Sequence, residues 1–154
     1  MDTGVLIQCL AALFASAFFG VLLQQPRDTL LHTSLIGLDG FVLYLLLGRG
    51  TLGYFAAALF VGLLCEITAR VRGRVTMIFL ISAAIPLVPG LDLYRTLILL
   101  SEHQYQQALA KGLDTLIAFG AIALALTIST TIFANLRPVR SHGTKGTHHA
   151  HPDL

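Results

Sequence analysis

The sequence predicts an all-α polytopic membrane protein with about five transmembrane helices. Three observations predict it. Of 154 residues, 55% are hydrophobic and only 12% are charged, about half the charged share of a soluble domain. The mean hydropathy is +0.77. Apolar runs of about twenty residues, the length that crosses a bilayer as a helix, recur with short polar breaks between them. This composition excludes an ordinary cytosolic enzyme. It also excludes a disordered chain, which needs few apolar residues and a high net charge.

The first run, Val5 to Leu23, has Ala15-Ser16-Ala17 near its end, like a signal-peptide cleavage site. The residues before it carry Asp2 and no Lys or Arg, so it reads as a span rather than a cleaved signal. Gln24 to Asp28 forms a turn, with Asp28 placed to cap the next helix. Span two covers about 30–48 and span three about 51–69, joined at Arg49-Gly50. Arg70, Arg72 and Arg74 make a compact basic loop. Span four covers about 75–100 and is interrupted at Pro86, Pro89 and Gly90. Ser101 to Gly112 is polar enough for a short interfacial helix, and span five covers about 113–134. Ala12, Ser16 and Gly20, like Ala58 and Gly62, form small-residue faces for close helix packing. Residues 1–134 thus read as the membrane domain. Residues 135–154, with His142, His148, His149 and His151, read as a disordered polar tail.

Residues 1–134 hold seven basic and seven acidic side chains, so the net +2 lies in the tail. No basic stripe is interleaved with aromatics, and nucleic acid is not an expected partner. Cys9 and Cys65 lie in apolar runs and read as buried thiols. Short-loop basic residues set orientation. With the N-terminus outside, Arg27, Arg70, Arg72, Arg74, Arg137, Arg140 and Lys145 lie inside, against Arg49, Arg95 and Lys111 outside. The expectation is an inner-membrane protein with its C-terminus in the cytoplasm.

The strongest chemical signal is Ile85-Pro86-Leu87-Val88-Pro89-Gly90. Each proline frees a carbonyl four residues back, at Ser82 and at Ile85. Inside a bilayer such groups need partners or a water-filled cavity, and transporters place substrate sites at interrupted helices. Where the helix resumes, its N-terminus suits a carboxylate, and Arg95 can add a bidentate grip. The competing reading is a plain proline kink, or a helix end with Asp92 as a local cap. Asp39 lies at the middle of span two, where a carboxyl group is a functional candidate by default. The alternative is a polar helix–helix hydrogen bond, for instance to Ser34. Glu66 is a second coupling candidate, although Arg70 four residues on offers it a simple helical ion pair. Asp114 beside Lys111 reads as a cap with its neighbour. No metal motif, phosphate loop or catalytic pair is visible, so neither a cofactor nor enzymatic activity is expected.

The run Ser82 to Arg95, with Pro86, Pro89, Gly90 and Tyr94 as its fixed points, resembles the signature of the threonine/serine exporter (ThrE-like) family. Pro26 ahead of a span with Gly37 and Gly40, and the small-residue run Phe55 to Gly62, support the likeness over about residues 5–134. More narrowly, the chain resembles the small five-span subunit of that family. The resemblance implies export of small hydrophilic metabolites, threonine and serine foremost and a dicarboxylate in some members. It implies a larger partner carrying five further spans, and secondary transport driven by the proton gradient. Pro86, Pro89, Gly90, Tyr94 and Arg95 would line the substrate path, with Asp39 and Glu66 as coupling candidates. A non-transporting membrane scaffold and a self-sufficient homo-oligomer are the rival readings.

Overall fold

In the computed structural model, residues 3–73 and 75–135 are described. Arg74 and residues 136–154, with Arg137, Arg140, Lys145 and the four tail histidines, lie outside the described residues. The chain forms α1 (Thr3–Leu22), α2 (Arg27–Leu46), α3 (Thr51–Arg72), α4 (Thr76–Ala84), a 3₁₀ turn (Ile85–Leu87), α5 (Gly90–Ser101) and α6 (Tyr105–Asn135). Among the described residues there is no strand. Backbone groups in hydrocarbon must be satisfied within the segment, and a helix does this without a partner. Four helices are long and apolar enough to cross a membrane; α4 and α5 make a fifth crossing if the bent pair is taken as one.

Helix α3 is the centre of the bundle. It packs most extensively on α6, then on α2 and α4. Its buried face of Ala57, Ala58, Val61 and Cys65 meets Phe79, Ala83 and Leu87 on one side and Ala118, Ile122 and Ala125 on the other. Such small side chains let helices approach closely where lipid offers no hydrophobic drive to associate. The small-residue face of α1 is also buried, at Ala12, Ser16 and Gly20. Gly73, at φ 62°, ends α3 in the left-handed region and donates to the carbonyls of Ala69 and Arg70, as glycine stops commonly do.

Two glycines mark the tightest approaches. A side chain on Gly37 would collide with Ser16, and one on Gly62 with Ser129. Gly62→Ala is expected to cost about 1–3 kcal/mol through overpacking and to lower the unfolding temperature in detergent. Adding Ser129→Gly removes the obstructing atoms and is expected to restore it. A Gly62→Ala protein that melts like wild type would show that α3 and α6 do not meet there.

The contact of Gly62 with Ser129 fixes the register of α3 against α6, which run parallel. Counting back from it, the start of α3 at Thr51 is level with about Ala118. Residues 105–117 of α6 therefore extend about 20 Å past the end of α3, at about 1.5 Å per residue. Helix α5 packs along α6 and on no other helix. The two form a hairpin that rises beyond the bundle, closed by a tight turn at Glu102 to Gln104. The polar stretch expected as a separate interfacial helix is instead the last residue of α5, this turn and the first two turns of α6. Hydropathy marks where a helix leaves the apolar phase, whereas backbone hydrogen bonds decide where it starts.

Candidate functional site

The break in the fourth apolar segment is real, and its freed groups are partly answered locally. The axes of α4 with its 3₁₀ turn and of α5 differ by 51°. Val88 N–H donates to the Ile85 carbonyl at 3.1 Å, which takes up one acceptor that proline released. Gly90 N–H then closes on the Val88 carbonyl at 2.7 Å across Pro89, at φ −76° and ψ 54°. This is an inverse γ-turn. Pro86 is half-buried, Pro89 is buried, and Gly90 is exposed at the start of α5. Tyr94, 60% exposed, and Arg95, also exposed, project from α5 beyond the bundle. None of these five residues lines the two cavities described below.

A polar cluster sits at the foot of the hairpin. Asp92 in the first turn of α5 forms an ion pair with Lys111 at 2.8 Å. The local-cap reading of Asp92 is half met: it sits in the first turn but makes no side-chain cap bond. Lys111 is thereby turned away from Asp114, which is exposed inside α6 and opens no helix, so the expected cap-and-neighbour pair does not form. The Tyr44 and Tyr54 rings lie 4.3 Å apart, and Tyr44 donates to the Arg49 carbonyl. A narrow apolar groove of about 440 Å³ runs between α5 and α6, from Thr96 to Leu116.

The larger cavity, about 810 Å³, opens at the opposite end of the bundle. This is the basic end, where the α1–α2 and α3–α4 connections carry Arg27, Arg70 and Arg72. Its wall includes Gln25, Glu66, Arg70, Thr76 and Thr130. Glu66 is 6% exposed and accepts a hydrogen bond from Thr76 Oγ1 at 3.2 Å. The expected Glu66–Arg70 ion pair does not form. Arg70 donates instead to the Phe133 carbonyl, with its guanidinium 4.7 Å from the centroid of the Phe133 ring. The carbonyl and ring of Phe133, in the last described turn of α6, draw Arg70 off. Gln25, 5% exposed, donates to Thr33 Oγ1 at 2.9 Å, and its Oε1 has no partner among the described residues. Asp28 makes no cap bond for α2; it pairs with Arg72 at 3.4 Å, and Arg72 also reaches His32.

Asp39 lies outside both cavities. It is exposed on the outer face of α2, between Leu35 and Leu46, also exposed. The opposite face buries Thr33, Ile36, Gly37 and Gly40. Asp39 takes no bond from Ser34, which donates to the Leu30 carbonyl. Sequence reasoning points to Glu66 and Arg70 but misses Gln25, Thr76 and Thr130. Ten residues and a turn separate Thr76 from Glu66, and no spacing rule joins them. Among the described residues, no group of three or more His, Cys, Asp or Glu side chains is placed to hold a metal.

A bundle of helices of membrane-crossing length, one of them interrupted, is the architecture of a polytopic membrane protein. The chain belongs to the threonine/serine exporter family: the family described as Threonine/Serine exporter, ThrE, matches residues 8–132. No curated protein and no solved structure shows significant similarity to it.

Proposed function

We propose that this chain is one subunit of a secondary exporter of small hydrophilic metabolites, threonine and serine first, acting with a larger five-span partner in the inner membrane. The observation that carries this reading, beside family membership, is the cavity at the basic end. It holds an acidic and a basic side chain that are not paired with each other. By the positive-inside count this end faces the cytoplasm, the side from which an exporter loads. A scaffold that merely holds a partner has no use for a buried carboxyl group facing a cavity.

Asp39 favours a partner. A carboxyl group at mid-span is costly unless it faces protein or water, and this one faces away from its own bundle. On this reading Pro86, Pro89, Gly90, Tyr94 and Arg95 are candidates for a path that the partner would complete, with Asp39 and Glu66 as coupling candidates. The test is efflux of labelled threonine, serine and succinate from cells lacking their own exporters. Expected is efflux of threonine and serine only when both chains are present. Efflux with this chain alone would favour a homo-oligomer, and succinate in place of the amino acids a dicarboxylate exporter. No efflux with both chains in the membrane would favour the scaffold.

A further inference from the structure

We propose that the cavity at the basic end binds a zwitterionic α-amino acid, with Glu66 taking its ammonium group and Arg70 its carboxylate. The class of ligand rests on the exporter reading; the geometry of the site does not. Glu66 and Arg70 stand one helical turn apart on α3, in the order that favours a direct ion pair. The structure keeps them apart, Glu66 on the Thr76 hydroxyl and Arg70 on Phe133. Among the described residues, two unlike charges on one cavity wall, each with unused capacity, complement a molecule that carries both.

The capacity can be counted. A carboxylate offers about four acceptor positions and an arginine five N–H donors. One donor, Thr76 Oγ1, is assigned to Glu66, and one N–H of Arg70 goes to the Phe133 carbonyl. An ammonium group brings three donors to Glu66. A substrate carboxylate can take two parallel N–H bonds from Arg70. The hydroxyl of Thr130 donates to carbonyls of its own helix and so offers its lone pairs to a hydroxyl-bearing side chain. A dicarboxylate brings no ammonium group to Glu66 and sets a second carboxylate against it, so it is expected to bind less well.

The test uses the full chain, co-expressed with its partner, with Cys9 and Cys65 changed to alanine and with Thr130→Cys. A water-soluble maleimide is applied from the basic side of isolated membranes. Threonine and serine, at about ten times the concentration that half-protects, are expected to slow labelling about tenfold. Succinate and ethanolamine, which each lack one of the two groups, are expected to leave it unchanged. Glu66→Gln is expected to abolish protection and to leave the unprotected labelling rate, which reports an intact cavity, as in the parent. Equal protection by succinate, or protection that survives Glu66→Gln, would overturn the assignment. Export that proceeds with no protection would overturn the site and leave the exporter reading standing. Protection without any export would uphold the site and remove that reading.

Discussion

Asp39→Leu is expected to abolish co-purification of this chain with its partner, and export with it, while the chain itself still inserts and folds. Asp39 is the thirteenth residue of the twenty in α2, well inside the span. It makes neither an ion pair nor a side-chain hydrogen bond among the described residues, where ion pairs join only Arg72 to Asp28 and Lys111 to Asp92. A charged side chain at this depth costs roughly 2.5–3.5 kcal/mol to insert, and leucine is mildly favourable. On a lipid-facing surface the substitution would thus be a gain. If the partner covers this face and supplies a donor or a cation, truncating one side of that pair weakens association by about 30-fold or more. Asp39→Asn keeps a hydrogen-bonding group and is expected to fall between. Wild-type co-purification and export by Asp39→Leu would place lipid on this face and the partner elsewhere.

The second large effect is expected from Pro86→Ala combined with Pro89→Ala. Proline is about 3 kcal/mol less favourable than alanine in a helix interior, so the double change drives α4 and α5 toward one continuous helix. The 51° bend would close. Straightening would carry α5 off α6 and part Asp92 from Lys111, now at 2.8 Å. A shift of even one such increment exceeds a factor of ten in population, so export is expected to fall about tenfold or more with chain abundance unchanged. The readout is threonine efflux normalised to the amount of chain in the membrane. Unchanged efflux would make the break a packing feature with no part in the path.

Much of the fold is legible because lipid imposes one rule on every span. Runs of about twenty apolar residues locate α1, α2 and α3, and two prolines with a glycine locate the break. The far end of the hairpin is not legible in the same way. Gln106, Gln107 and Lys111 read as part of a separate interfacial helix, yet they begin α6 itself, because nothing after them stops the helix. The ion pairs are the clearest losses. Spacing offers Arg70 to Glu66 and Lys111 to Asp114. The structure gives Arg70 to the end of α6 and Lys111 to Asp92, because the competing partners come from helices that the sequence cannot place. The cavity is assembled from the α1–α2 connection, α3, α4 and α6, so its wall is visible only after folding. Asp39 is legible as a carboxyl group at mid-span. Which way it faces is decided by Gly37 and Gly40, which turn their bare sides toward the bundle and leave Asp39 on the outside.

Counterflow tests most directly whether this chain and a larger partner together move threonine and serine through a membrane. Both chains are purified together and reconstituted into liposomes loaded with unlabelled threonine, and a trace of labelled threonine is added outside. Transient accumulation of label is expected, abolished when the larger chain is left out and competed by serine. No exchange of threonine or serine, with both chains inserted and paired, would contradict the exporter reading.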